Sequence, residues 1–231
     1  MNLLLLAVVF LTPLLGATGG FGYEQIKVLF FILSISLIGF IWLLGKPKLK
    51  LNSIKIISGI FILILFITST VGIDLKSSFL GSDPYFQGWV LYAYLFLFAW
   101  IVSLTKTRLT HWAYVLVGSA AVVSFLAIKD WILLNLFATP VPSYAGRVVS
   151  TFGQPNFYSG FLLLTLPFSY LLFKSLDKKL QYLGWGSGLI SIIGILVSYS
   201  RATILLALVL LILGLIDQLK IKLRLGLVVF G

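Results

Sequence analysis

The segment from Arg147 to Asn156 reads Arg-Val-Val-Ser-Thr-Phe-Gly-Gln-Pro-Asn and leads directly into a long apolar run. Because Gln154 precedes a proline, its backbone is biased towards the extended region. Asn156 is a favoured N-cap residue, so we expect it to cap the helix that follows. The N-terminus of a helix carries partial positive charge and free N–H groups that can hold an anion. With Arg147 nearby, the segment predicts either an anion site or a capped helix beside an ordinary loop arginine.

A second arginine, Arg201, follows Ser198, Tyr199 and Ser200 in a very short turn between two apolar runs. A cation at a helix N-terminus opposes the helix dipole. Ionisable residues near membrane depth are costly and are often functional, although snorkelling to lipid phosphates explains the same position. We therefore treat Arg201 as a candidate site residue.

A third group of side chains lies in the polar stretch after the third apolar run. Asp74 and Asp83 are of a type that serves as acid, base or sugar-binding group. Tyr85, Phe86 and Trp89 could stack on a sugar, but aromatic residues also form belts at membrane interfaces. We expect turn and belt roles here.

The composition indicates a membrane protein. Of the 231 residues, 60% are hydrophobic and 10% are charged, whereas ordinary globular chains carry about 25% charged residues. The net charge of +11 comes from basic clusters between apolar runs, so it indicates membrane loops and not nucleic-acid binding. The chain has no cysteine, its one histidine is His111, and metal-ligand spacing is missing. We therefore predict neither a metal nor a cofactor.

The apolar runs predict an all-α, polytopic membrane helix bundle, because about 20 apolar residues cross a bilayer as a helix. Eight complete transmembrane helices are predicted, at Leu3–Phe21, Val28–Leu44, Ile56–Ile73, Gly88–Thr105, Trp112–Ile128, Phe157–Phe173, Leu180–Val197 and Ala202–Ile216. The start of a ninth follows at Leu225. We therefore expect residues 1–231 to form a single transmembrane domain that is the N-terminal part of a longer protein.

Lysines and arginines in the loops predict the orientation. One alternate set of loops holds twelve of them and the other holds five. Since the richer side is cytoplasmic, the N-terminus is expected in the cytoplasm. The segments that contain Arg147 and Arg201 then lie outside. In the longer outer loop, Trp131 to Phe137 is expected as a short interfacial helix ended by Pro140 and Pro142.

At this point the sequence resembles a known family. The run from Gly146 to Asn156, continuing through Phe157-Tyr-Ser-Gly160 to Pro167, resembles the O-antigen ligase and polymerase family. Members show an arginine, a Thr-Phe-Gly-Asn-Pro-Asn-like turn and a span rich in small residues. In this sequence Gln154 stands at the place of the usual asparagine.

Two further segments extend the resemblance over about Gly72 to Ile216. The turn from Ser198 to Arg201 resembles the family's later Ser-Arg turn. An earlier outer loop is also similar, but Tyr85 or Phe86 stands near the place of an arginine that members often carry. That loop is therefore given no catalytic role.

The resemblance implies a bacterial inner-membrane glycan ligase or polymerase. Such an enzyme transfers a glycan from an undecaprenyl-diphosphate carrier to a glycan, lipid or protein acceptor on the outer face. We assign Arg147 and Arg201 as catalytic, with Gln154, Asn156 and Ser200 binding substrate. The catalytic base is expected beyond residue 231, so this segment alone is expected to be inactive.

Packing of the sixth and seventh predicted spans as an antiparallel hairpin would bring the turns that carry Arg147 and Arg201 to one membrane depth. We expect both guanidinium groups to face one outer cavity. A transporter of lipid-linked glycan or small solute is the alternative function, and a structural membrane subunit is the third.

Overall fold

A computed structural model describes residues 1–17, 22–45, 53–83, 85–105 and 107–230, with the backbone alone described for 219–230. The helices are α1 (Asn2–Leu11), α2 (Tyr23–Leu44), α3 (Ser53–Thr70), α4 (Leu75–Leu80), α5 (Trp89–Leu104), α6 (Leu109–Leu136), α7 (Pro155–Phe173), α8 (Lys178–Val197) and α9 (Arg201–Phe230). Two 3₁₀ turns lie at Thr12–Leu14 and Ser150–Phe152, and a short antiparallel hairpin joins β1 (Ser143–Tyr144) to β2 (Arg147–Val148). The predicted all-helical class is confirmed.

In the part of the chain that the structure describes, six helices are long and apolar enough to cross a membrane: α2, α3, α6, α7, α8 and the Arg201–Gln218 part of α9. By length and composition, the chain is a multi-pass membrane protein. The prediction of eight complete spans is wrong, because Asn2–Leu14 and α5 are shorter apolar helices. At 1.5 Å per residue, the 16 residues of α5 extend about 24 Å, which is less than the hydrocarbon core of about 30 Å.

Proline and glycine explain these two shortened elements. Pro13 lies in the 3₁₀ turn that follows α1, where its missing N–H and fixed φ do not support continuation of the α-helix. Before α5, Gly88 is extended, and a Cβ there would collide with the backbone of Phe79 and Gly81. The close approach of these chains sets the start of α5 at Trp89.

Two other boundaries differ from prediction. Trp131 does not begin a separate interfacial helix, because α6 continues without a break to Leu136. The predicted break before a ninth span at Leu225 is also wrong, since α9 is a single helix from Arg201 to Phe230. In both places the helix continues past the apolar window that marked the predicted end.

The chain divides into two compact units, Met1–Val115 and Leu116–Gly231, here called unit 1 and unit 2. Unit 1 packs through large apolar side chains. Its buried core joins Leu5 and Val8 of α1, Ile35 and Ile38 of α2, and Ile101 of α5. Aromatic rings pack around this core and along α3, α4 and α5.

Unit 2 packs through small and hydroxyl-bearing residues. Helices α7 and α8 form an antiparallel hairpin, since the hydroxyl of Ser187 lies 3.4 Å from that of Ser169 while Gly194 lies against Leu162. A Cβ at Gly184 would collide with the backbone of α7, because it would lie 2.6 Å from the carbonyl oxygen of Ser169. Small residues permit such close approach in membrane helix pairs. The antiparallel packing on which the expectation of a shared outer cavity depended is therefore present.

Candidate anion-binding site

The hairpin end of unit 2 comprises β1–β2, the start of α7 and the turn 198–200 before α9. In the hairpin, Tyr144 pairs with Arg147, and the two turn residues, Ala145 and Gly146, have φ of 49° and 73°. Positive φ at both positions is typical of the type I′ turn, whose twist matches that of the strands. The turn fixes the register, so Arg147 is half-buried next to the buried Val148.

The segment after the hairpin is held tightly although its backbone is strained. Ser150 has a φ of 50°, is buried, and donates its hydroxyl proton to the carbonyl of Val123 in α6 at 3.0 Å. Phe152 stacks on Phe161 of α7, with ring centroids 5.4 Å apart. Non-glycine residues in the left-handed region persist only where their surroundings determine them, and they cluster at functional sites.

Helix α7 begins two residues earlier than predicted, at Pro155 instead of Phe157. Gln154, not Asn156, occupies the N-cap position, with φ −145° and ψ 133°, and Pro155 is the first helical residue. The expected extended backbone of Gln154 is confirmed. Proline is favoured at this position because its fixed φ suits the helix and it has no N–H to leave unpaired. Asn156 is exposed, and its carbonyl accepts a hydrogen bond from Ser159 at 3.2 Å.

The start of α7 contacts the start of α9. The hydroxyl groups of Thr203 and Ser159 lie 3.1 Å apart and are buried, and Thr203 also lies 3.0 Å from the carbonyl of Ser200. The amide of Ser200 donates to the hydroxyl of Ser198 at 3.0 Å. The N-termini of two helices are thereby joined by hydroxyl contacts.

The two arginines are placed differently. Arg147 is half-buried and interacts electrostatically with the hydroxyl of Tyr158. Arg201 is exposed at the first position of α9. Since residues two apart on a helix differ by about 200° in direction, Arg201 leaves α9 on the side away from the Thr203–Ser159 contact. A shared cavity for both guanidinium groups remains a prediction.

Several groups at this end escaped prediction. Tyr158 is fully buried, and its hydroxyl also interacts electrostatically with Asp130. Asp130 is paired with Lys129 at 3.1 Å. Trp131 donates a hydrogen bond to the hydroxyl of Tyr199 at 3.0 Å. The backbone of Tyr199 lies in the left-handed region, with a φ of 52°. In the sequence, these residues look like ordinary interface aromatics and a loop ion pair, so no pattern distinguishes them.

The polar stretch in unit 1 has a structural role. Asp74 caps α4 by accepting hydrogen bonds from the amides of Lys76 and Ser77 at 3.0 and 3.3 Å. The hydrogen bonds from Ser77, its hydroxyl first, hold the pKa of Asp74 below its ordinary value. Trp89 packs against Phe66 and donates to the carbonyl of Ile62 at 3.1 Å. The turn role expected for Asp74 is confirmed.

The opposite end of unit 2, here called the connector end, carries an ionic cluster. Lys174 and Tyr170 both donate to one oxygen of Asp217, at 2.7 and 2.6 Å, and Gln218 donates to the tyrosine hydroxyl at 3.2 Å. The hydrogen bond with Asp217 raises the pKa of Lys174 above its ordinary value. This cluster connects α7 to α9, and all of its polar groups are engaged with one another.

No family model, curated protein or solved structure matches this chain.

Proposed function

We propose that this chain belongs to a membrane glycan ligase or polymerase that takes its donor from undecaprenyl diphosphate on the outer face of the bacterial inner membrane. The supporting observation is Arg147, a half-buried residue that interacts electrostatically with Tyr158 in the first turn of α7. Among the described residues, it forms no ion pair. A guanidinium always carries its charge and donates in a forked geometry that fits phosphate oxygens.

The reaction requires what this end of the molecule offers. Breaking the bond between a sugar and a diphosphate builds negative charge on the leaving diphosphate, and fixed cations and helix N-termini stabilise such charge in a low-dielectric site. The N-termini of α7 and α9 are joined through Ser159 and Thr203. Gln154 and Asn156 then line the donor site, and Ser200 borders it from α9.

The orientation of unit 2 rests on charges within unit 2 itself. On the connector side, Lys174, Lys178 and Lys179 are joined by three basic residues near the end of α9, Lys220, Lys222 and Arg224, whereas the hairpin side carries three in all, Lys129, Arg147 and Arg201. By the positive-inside bias, the connector end is cytoplasmic and the hairpin end is external. This assignment does not depend on whether α1 or α5 crosses the membrane.

A transporter would need a polar path, and the buried hydroxyl groups of unit 2 give limited support for one. Thr165 donates to the carbonyl of Leu162 at 2.7 Å, Ser187 to that of Leu183 at 2.6 Å, and Ser119 to that of Leu116 at 3.0 Å. Hydroxyl groups bonded to their own helix serve packing and do not line a route for solutes. Glycan transfer therefore remains the better proposal.

Substitution of the two arginines in the intact gene product tests the proposal. Arg147→Ala and Arg201→Ala should abolish glycan transfer while membrane insertion stays normal. Arg201→Lys should also impair turnover, because lysine keeps the charge but loses the fork. Arg108→Ala is the matched control, since Arg108 is exposed just before α6 and far along the chain from the site. Normal transfer by either alanine variant would contradict the mechanism.

Cysteine labelling in intact cells tests the orientation. An impermeant thiol reagent should label a cysteine placed at Ser143, which is exposed, and should not label one at Lys178. Both positions lie in unit 2, so the test does not depend on whether α5 crosses the membrane. Labelling at Lys178 without labelling at Ser143 would reverse the orientation and remove the site from the outer face.

A further inference from the structure

One face of α8 is exposed along the whole helix. Its exposed side chains recur every three or four residues: Lys178, Tyr182, Trp185, Leu189, Ile193 and Leu196. This spacing keeps them on one face of a helix. The other face packs on α7 through Gly184 and Ser187. The exposed face, here called the α8 stripe, is therefore the side that α8 leaves open after it has paired with α7.

The chemistry of the α8 stripe changes from charged to apolar along its length. Lys178 comes first, Tyr182 and Trp185 follow one and two turns later, and leucine and isoleucine complete the stripe. At 1.5 Å per residue, Leu196 lies about 27 Å from Lys178 along the helix axis. Trp185 is held against Phe173 of α7, with ring centroids 6.0 Å apart. A phospholipid presents its groups in the same order, from a charged headgroup through an interface that favours tyrosine and tryptophan to apolar acyl chains.

The charged end of the α8 stripe carries basic groups without an acidic partner. Lys178 and Lys179 are both exposed, and among the described residues neither forms an ion pair. The two carboxylates nearest to them along α8 and α9 are used elsewhere. Asp217 is paired with Lys174 at 2.7 Å, and Asp177 caps α8 by accepting a hydrogen bond from the backbone amide of Lys179 at 2.9 Å. An anionic group from outside the protein would therefore complement this end.

The connector that carries these lysines has a defined shape. The side-chain amide of Gln181 donates to the carbonyl of Ser175 at 2.9 Å, and the backbone amide of Asp177 donates to the hydroxyl of Ser175 at 3.3 Å. The ion pair between Lys174 and Asp217 joins the connector to α9. The two turns of α9 that follow this pair carry three more basic residues: Lys220, Lys222 and Arg224. Basic clusters at the end of membrane-spanning helices attract anionic lipid headgroups.

We propose that the α8 stripe binds an anionic phospholipid, whose phosphate contacts Lys178 and Lys179 and whose acyl chains lie along Leu189 to Leu196. Tyr182 and Trp185 contact the glycerol region between them. The apolar length of the stripe favours a lipid over a free phosphate, and its charge favours an anionic lipid over a zwitterionic one. Binding of this lipid is independent of glycan transfer. With the orientation proposed above, the lipid belongs to the cytoplasmic leaflet.

Native mass spectrometry of the purified protein in detergent measures this binding, with phosphatidylglycerol and phosphatidylcholine of the same acyl chains. The unsubstituted protein should bind phosphatidylglycerol more tightly. The double variant Lys178→Gln/Lys179→Gln should bind phosphatidylglycerol about tenfold more weakly and phosphatidylcholine as before, because two cations near a headgroup are removed. The matched control is Lys76→Gln/Arg108→Gln, which removes two cations from exposed positions of unit 1 and should leave binding of both lipids unchanged.

Three results would overturn the lipid site. The first is equal binding of the two lipids by the unsubstituted protein, and the second is an unchanged preference for phosphatidylglycerol in the Lys178→Gln/Lys179→Gln variant. The third is a disulfide between two copies of a Leu189→Cys variant in lipid-containing detergent, since a second copy would then occupy the α8 stripe. None of these results affects the proposed donor site, which lies at the opposite end of unit 2. Failure of one proposal is therefore distinguishable from failure of the other.

Discussion

Unit 1 and unit 2 bury different kinds of side chain. In unit 1 the buried core is made of leucine, isoleucine and valine surrounded by aromatic rings. In unit 2, serine and threonine are buried at the contacts of α6, α7, α8 and α9, among them Ser124, Ser159, Ser191 and Thr203. Of the five described residues other than glycine that have positive φ, four belong to unit 2: Ala138, Ala145, Ser150 and Tyr199.

The difference follows from the membrane as a solvent. Lipid tails are as apolar as leucine, so large apolar side chains alone give helices little reason to choose one precise contact. Small residues let backbones approach, and hydroxyl groups then fix the relative positions of the helices. Unit 1 therefore resembles an anchor, whereas unit 2 has the defined helix contacts that a binding site needs to hold strained loops in place.

The largest effect is expected at the closest helix contact. Gly184→Ala should destabilise unit 2 by about 3 kcal/mol, because a Cβ there collides with the backbone of Ser169 and Phe173. Thermal unfolding in detergent measures this. Gly186→Ala is the control on the same helix, since nothing lies within 4 Å of a Cβ at Gly186. Equal stability of the two variants would contradict the close packing of α7 and α8.

A core substitution in unit 1 should change stability without changing the site. Ile35 is 0% exposed, so Ile35→Val should cost about 1 kcal/mol, while glycan transfer per folded molecule stays the same. The control Ile57→Val removes the same methylene from a side chain that is 66% exposed, and it should leave the stability unchanged. A fall in transfer per folded molecule in Ile35→Val would show that unit 1 does more than anchor.

The contact between α7 and α9 should show the opposite behaviour. Removing the hydroxyl interaction through Thr203→Val should cost only about 0.6 kcal/mol, the average for hydrogen bonds between membrane helices. Transfer should nevertheless fall several-fold, because this contact joins the helix starts next to Arg147 and Arg201. Measuring turnover and melting temperature on the same variant checks both the small loss of stability and the larger loss of transfer. Unchanged turnover would show that the start of α9 does not contribute to the site.

The smallest effect is expected at the connector end, where Lys174 pairs with Asp217 at 2.7 Å. This hydrogen bond raises the pKa of Lys174 above its ordinary value. A lysine whose pKa is higher in the folded state than in the unfolded state stabilises the fold. This stabilisation is complete at pH values below the pKa of the unfolded state, and it is lost as the pH rises through the pKa of the folded state. Lys174→Gln should therefore be slightly less stable than the parent protein at pH 7, and the difference should shrink at alkaline pH. A difference that grows with pH would contradict the ion pair.

Sequence patterns predicted the helical class and most of the long helices, because about 20 apolar residues have few alternatives in a membrane. They did not predict where helices stop. Pro13 ends the first helical segment early, and Gly88 delays α5 through a backbone contact with a residue seven positions earlier. Such contacts between separate chain segments leave no periodic signal.

The site was predicted only in part for the same reason. Arg147 and Arg201 stood out because charges are rare in this chain. The type I′ hairpin that holds Arg147 has Ala-Gly at its turn, instead of the Asn-Gly or Asp-Gly pair that signals such a turn. Tyr158 looks like an interface aromatic in the sequence, and only the fold shows that its side chain is fully buried.

The most direct test is photocrosslinking of the full-length protein with a photoreactive undecaprenyl-diphosphate analogue, followed by mapping of the labelled peptides. A donor site at the hairpin end predicts labels in peptides that contain Arg147 to Tyr158 and Ser198 to Thr203, and excess unlabelled undecaprenyl diphosphate should remove them. Competed labelling at the connector end around Lys174 and Asp217, or only within unit 1, would contradict the site.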